Sequence, residues 1–166
     1  MRLKICTTGG TIDKVYFDKK SDYQVGDPQA GGVLERANVV IEYVVESILR
    51  KDSLDLTEQD RKLIRQTVES SPEDHIVITH GTDTMIETAK ALQDVEGKTI
   101  VLTGSMYPAR FRDSDAVFNI GCALTAAQIL QPGVYIAMNG RIFDPRSALK
   151  NVELNRFEEV GVQQIA

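Results

Sequence analysis

The chain has 166 residues, 42% of them hydrophobic and 26% charged, with a formal net charge of −5, which fits one globular domain with its own core and argues against nucleic acid or an anionic membrane as the main partner. No apolar run reaches the ~18 residues that a bilayer demands, and Met1 to Cys6 lacks the apolar core of a secretion signal, so the expected compartment is the cytoplasm. Cys6 and Cys122 have no metal-ligand spacing and read as buried, reduced thiols, and with only two histidines present no metal site is expected.

Leu3 to Thr7 reads as the first strand. The polar stretch from Asp13 to Gln29 has no sustained period and reads as a long loop, a length usual in lids or disordered segments. A short helix is expected over Val33 to Val39, and the β-branched run from Ile41 to Leu49 favours a strand. Thr57-Glu58-Gln59-Asp60 has the form of a capping box opening a helix that runs to about Ser70. The apolar segment from His75 to Thr79 is a buried strand, and Thr82 to Gln93 has helical spacing. Lys98 to Thr103 is a further strand. Ser114 or Asp115 is expected to cap a helix ending near Leu130, followed by a strand over Gly133 to Met138. Asn139-Gly140 marks a type I′ turn into Arg141-Ile142-Phe143. The tail from Asn155 to Ala166 shows no clear period. Strands alternating with helices predict a three-layer α/β domain, Rossmann-like or flavodoxin-like, with a mostly parallel sheet, helices on both faces and a β-hairpin near residues 133–143. One domain, 1–166, is expected.

Chemistry-bearing residues concentrate at strand exits. Thr8 to Thr11, Thr79 to Thr84 and Thr103 to Ser105 each combine hydroxyls with glycine, and in open α/β sheets ligands bind at the carboxyl ends of the strands. Turn and cap chemistry accounts for any one of these, since Thr82 or Asp83 can cap a helix; a hydroxyl at all three is not required by turns. A threonine hydroxyl needs an activating base or cation. No histidine or cysteine is arranged to serve: His75 comes too early on its strand, and the direction of His80 is open. Among the lysines, Lys150 follows the hairpin after the last strand and could return over that sheet edge. Thr8-Gly9-Gly10-Thr11 is not the G-x-G-x-x-G of a dinucleotide site, and no phosphate-binding P-loop is present.

These segments together resemble the N-terminal domain of the bacterial-type L-asparaginase/glutaminase family. Thr8-Gly9-Gly10-Thr11-Ile12 is similar to that family's first threonine motif, and Ile78 to Met85 with Glu87-Thr88-Ala89 to its second. Leu102-Thr103-Gly104-Ser105-Met106 with Pro108, then Ser114-Asp115-Ala116 with Asn119, resembles a third block. The likeness continues in register through Met138-Asn139, Asp144 and Arg146 to Lys150. The resemblance implies hydrolysis of L-asparagine to L-aspartate and ammonia without metal or organic cofactor. It implies Thr11 as nucleophile, and Thr82, Asp83 and Lys150 as a proton-handling triad, while leaving open which threonine attacks first. Backbone near Gly10 and Gly81–Thr82 would hold the developing oxyanion. Asp83 would bind the substrate ammonium, and Ser53, within Ser53-Leu54-Asp55-Leu56-Thr57, the α-carboxylate. A lid tyrosine is also implied, with Tyr23 favoured by the segment Lys20 to Gly26 and Tyr16 by its place five residues after Thr11.

Members of that family usually carry a second, smaller domain, through which a neighbouring subunit closes the site. The sequence stops soon after Lys150, so the expectation is a chain without it, binding asparagine weakly and with little or no glutaminase activity. A homo-oligomer, dimer or tetramer, is expected by the same resemblance, with the small-molecule amide as partner. A non-catalytic domain that binds aspartate or asparagine is the competing reading.

Overall fold

The computed structural model describes residues 1–17 and 22–160; the side chains of Tyr16, Phe17 and Asp22 lie outside that description. In chain order the elements are β1 (Arg2–Gly9), β2 (Lys14–Phe17), β3 (Asp22–Val25), α1 (Ala30–Arg36), β4 (Glu42–Lys51), α2 (Glu58–Glu69), β5 (His75–Thr79), α3 (Met85–Ala91), β6 (Thr99–Thr103), α4 (Ala116–Ile129), β7 (Gly133–Met138), β8 (Arg141–Phe143), β9 (Ala148–Asn151) and β10 (Arg156–Glu159). Six strands form one sheet in the order β4-β1-β5-β6-β7-β8. Every neighbouring pair is parallel except β7 with β8.

The side-chain period of two sends alternate residues of each strand to opposite faces. Cys6, Ile76, Ile78, Ile100 and Leu102 meet Ile64 and Val68 of α2, Met85 and Ala89 of α3, and Leu92 just past its end. Leu3, Ile5, Val77 and Val101 meet Val33 and Leu34 of α1 and Ile120, Ala123 and Ala127 of α4. Helices therefore cover both faces, and the expected α/β architecture is observed. Register fixes the functional edge: Thr7 pairs with Thr79, and Thr79 with Thr103. The exits of β1, β5 and β6 thus end level with one another.

The local signals hold in several places. Thr57 Oγ1 accepts from Asp60 N, and the Asp60 carboxylate accepts in turn from Thr57 N, so the capping box is complete. Asn139 and Gly140 have φ of 52° and 76°, as a type I′ turn requires. Other expectations need correction. The stretch from Asp13 to Gln29 is not one long loop: β2 and β3 pair antiparallel, with Tyr16 opposite Tyr23. Each arm is only four residues long, too short to display a period. The tail contains β10, paired with β9, for the same reason; residues 161–166 lie outside the described part. The first helix spans Ala30–Arg36 rather than Val33 to Val39, and Asn38 turns the chain out of it at φ 50°. The third starts at Met85, not Thr82, because the exit of β5 is held in a non-helical bend. Asp115 does not cap α4 with its side chain; its carboxylate accepts from Met106 N and Tyr107 N, while Ser114 Oγ accepts from Ala116 N.

Candidate active site

The exits of β1 and β5 touch through glycine. Gly10 has φ +88°, and a Cβ there would collide with Gly81 N and Cα. A Cβ on Gly81 would in turn strike the side chain of Ser53. Only residues without side chains let these three backbones come so close. The contact joins the start of the 3₁₀ turn Thr11–Asp13, the Gly81–Asp83 bend and the 3₁₀ turn Ser53–Asp55 into one locus. Gly10 N donates to Lys51 O at 2.9 Å, and Thr84 Oγ1 donates to Ser53 O at 2.7 Å. These bonds fasten the β4 exit to the other two.

Hydroxyls at the exits divide into two kinds. Thr8 Oγ1 donates to Thr79 O, Thr103 Oγ1 to Ala137 O and Ser105 Oγ to Tyr107 O. They serve the scaffold, so the third exit, Thr103 to Ser105, contributes structural bonds by its hydroxyls. Thr11 is partly exposed beside the Gly10–Gly81 contact. Thr82 is buried, and its Oγ1 accepts a hydrogen bond of 2.8 Å from Lys150 Nζ. The same Nζ donates to Asp83 Oδ1 at 2.6 Å. A lysine ammonium has three donors and no acceptor, so it holds the Thr82 oxygen and leaves the Thr82 proton to point elsewhere. The Lys150 side chain is 16% exposed and that of Asp83 43%, so the cation is largely sheltered while the carboxylate faces solvent. Strand β9 thus brings Lys150 over the sheet edge to two residues of the β5 exit.

Ser53 is 1% exposed, and its Oγ has no hydrogen-bond partner among the described residues. Buried hydroxyls are normally bonded; this one suits a ligand oxygen. His80 is fully buried and spends both ring nitrogens on the scaffold. Its Nδ1–H donates to Gly81 O at 2.7 Å and its Nε2 accepts from Thr88 Oγ1 at 2.8 Å, which assigns the neutral tautomer with the proton on Nδ1. Burial lowers its pKa to about 4. The sequence leaves His80 undirected and gives Thr84 no separate role; their partners, Thr88 on α3 and the carbonyl of Ser53, appear only in the fold. Tyr23 on β3 packs edge-on against Phe111, with ring centroids 6.3 Å apart. Tyr16 lies opposite it in the ribbon, but its side chain is outside the described residues. Among the described residues no group of three or more His, Cys, Asp or Glu is placed to hold a metal, and no helix is long and apolar enough to cross a membrane.

Asp13, two residues past Thr11, is 1% exposed and accepts from Gln29 N. Burial raises its pKa to about 6. Between about pH 4 and pH 6 the native protein therefore holds a proton that the unfolded chain has released, and this group's contribution to stability falls as pH rises. Asn in its place keeps the acceptor for Gln29 N and has no such dependence. Relative to wild type, Asp13→Asn is expected to gain about 3 kcal/mol of stability between pH 4 and pH 7. Urea unfolding at a series of pH values reads this difference; parallel curves would contradict it.

A family model described as asparaginase, N-terminal, matches residues 2–166. An L-asparaginase from Thermococcus kodakarensis is 35% identical over 176 aligned residues, which cover 100% of this chain and 53% of that protein. The solved structure of the thermostable L-asparaginase from that organism superposes with a TM-score of 0.82 at 30% identity, covering 98% of this chain and 52% of its own. L-asparaginase I from Vibrio cholerae gives a TM-score of 0.85 at 26% identity over 98% of this chain and 52% of its own. A glutaminase-asparaginase from Pseudomonas aeruginosa is 36% identical over 72% of this chain and 33% of that protein. The chain spans about half the length of the L-asparaginases it matches.

Proposed function

Because the chain belongs to the asparaginase family, matched over residues 2–166 by the model of its N-terminal domain, we propose that these residues carry a site hydrolysing L-asparagine to L-aspartate and ammonia through a threonine acyl-enzyme. The observation that carries this reading is the meeting of Lys150 Nζ with Thr82 Oγ1 and Asp83 Oδ1, at 2.8 and 2.6 Å, across more than sixty residues of sequence. A domain that only binds an amino acid has no use for a sheltered lysine fixed on a threonine hydroxyl.

In the proposed reaction Thr11 Oγ attacks the side-chain amide carbon and gives up its proton. Backbone N–H groups near Gly10 and Thr82 take the charge that develops on the carbonyl oxygen. The C–N bond breaks, the nitrogen gains a proton and leaves as ammonia, and an aspartyl ester remains on Thr11. Water then attacks that ester; the ester bond breaks, aspartate leaves and Thr11 Oγ recovers a proton. Thr82, Asp83 and Lys150 carry the proton transfers. Asp83, with its carboxylate exposed to the site, pairs with the substrate ammonium, and Ser53 Oγ, unpartnered among the described residues, donates to the α-carboxylate. Tyr23, or Tyr16, supplies the aromatic cover.

These 166 residues hold the reacting groups, but the family's substrate contacts from a neighbouring subunit's second domain are not among them. Contacts felt equally by substrate and transition state alter KM more than kcat. A polypeptide of these 166 residues alone is therefore expected to release ammonia from L-asparagine with KM well above the micromolar range, and to act weakly or not at all on L-glutamine. Coupled ammonia assays across a substrate series test this. Saturation at micromolar asparagine overturns the affinity claim. Aspartate binding with no ammonia release would favour the binding-domain reading instead.

A further inference from the structure

Lys150 lies on a two-stranded ribbon separate from the main sheet, so something must fix that ribbon relative to Thr82. Its register partner on β10 is Phe157. The Phe157 N–H does not close the ribbon ladder: it donates to Asn139 Oδ1 at 2.9 Å. Lys150 and Phe157 are therefore a non-hydrogen-bonded pair, the class whose Cα atoms sit about 4.5 Å apart with side chains in closest contact. Asn139 belongs to the turn between β7 and β8, on the main sheet. Its own N–H donates to Asn119 Oδ1 at 3.2 Å. Asn119 is fully buried on α4, and its Nδ2 donates to Gly104 O at 3.0 Å and to Asp115 Oδ2 at 2.9 Å. Every polar atom of that side chain is used, and the donors and acceptors allow only one orientation of the amide.

We propose that Asn139, braced by Asn119, is a positioning residue for Lys150: a relay of two asparagine side chains that ties the lysine-bearing ribbon to the β6 and β7 exits and so sets the Lys150–Thr82 contact. Other ties hold the ribbon folded without setting that distance. Phe157 packs its ring on Phe143, and Arg141 pairs with Glu159 at 2.8 Å on the surface. Loss of the Asn139 oxygen leaves these in place and frees the ribbon to shift by a fraction of an ångström, which is enough to cost turnover where a proton must pass between fixed atoms. The turnover claim rests on the amide-hydrolase reading; the positional claim does not.

Two substitutions separate the relay from general stability. Asn139 has φ 52°, a conformation glycine adopts freely and aspartate tolerates. Asn139→Gly removes the acceptor with the rest of the side chain and keeps the backbone N–H that Asn119 binds; Asn139→Asp keeps the acceptor as well. Asn139→Gly is expected to lower kcat for asparagine about tenfold with KM within about twofold, and Asn139→Asp to stay within about threefold of wild type in kcat. Amide hydrogen exchange at residues 148–159 is expected to quicken about tenfold or more in Asn139→Gly and not in Asn139→Asp. Unchanged exchange in Asn139→Gly overturns the relay whether or not the protein is an enzyme. Quickened exchange with wild-type kcat, or equal losses in both variants, overturns the positioning role. A wild-type protein that releases no ammonia while the exchange pattern holds defeats the hydrolase reading and leaves the relay standing.

Discussion

Lys150→Met is expected to lower kcat for asparagine hydrolysis by about 10³-fold, the scale of a lost proton-transfer group. Methionine keeps an unbranched stem of similar length and so preserves the packing of β9. What disappears is one nitrogen with two bonds, to Thr82 Oγ1 and to Asp83 Oδ1. Asp83 is close to half exposed and can take water in exchange, so the fold loses little: an ion pair with one partner open to solvent contributes on the order of 1 kcal/mol. The melting temperature should therefore move by only a few degrees. Lys150→Arg sharpens the test. A guanidinium keeps the positive charge but does not release a proton near neutral pH. If charge alone mattered, arginine would rescue; the proton-transfer role predicts that it does not. Near wild-type turnover in Lys150→Met would remove the lysine from the mechanism.

Thr11→Val is expected to be at least as damaging, about 10³-fold or more in kcat, because it removes the atom that forms the ester. Valine keeps the β-branch and hence the shape that the 3₁₀ turn Thr11–Asp13 presents beside the Gly10–Gly81 contact. Aspartate binding should survive, since Ser53 and Asp83 are untouched. Thr11→Ser restores a hydroxyl and should recover most of the lost rate. The companion loss in Thr82→Val should be of the same kind but without loss of the ester. Equal ammonia release by wild type and Thr11→Val would move the nucleophile elsewhere.

The centre of the parallel sheet could be read from the sequence because β5, β6 and β7 are dense apolar runs bounded by turn residues, and the β5 exit because its hydroxyls and carboxylate stand between a strand and a helix. The β2–β3 ribbon could not, since its two arms are four residues each and are separated by a polar stretch that carries no period. Lys150 shows the limit of spacing. Nothing local in Leu149-Lys150-Asn151 says that its ribbon folds back over the sheet; its place after the hairpin allowed that, the resemblance gave it weight, and only the fold brings Nζ to Thr82. Asn119 and Asn139 were visible as motif members without a role, because their bonds join segments far apart in the chain. His80 was undirected for a different reason: its partners, the backbone oxygen of the next residue and a hydroxyl on α3, are close in sequence, but a neutral, fully buried imidazole looks no different in sequence from a catalytic one.

The central claim is the covalent step at Thr11. Wild-type protein mixed with saturating L-asparagine, quenched in acid within a turnover and digested, can be read by peptide mass spectrometry. An aspartyl adduct on the peptide containing Thr11, absent from Thr11→Val and accumulating in Lys150→Met if deacylation is slowed, is the predicted result. Ammonia release with the adduct on the Thr82 peptide, or with no adduct under any quench time, would contradict it.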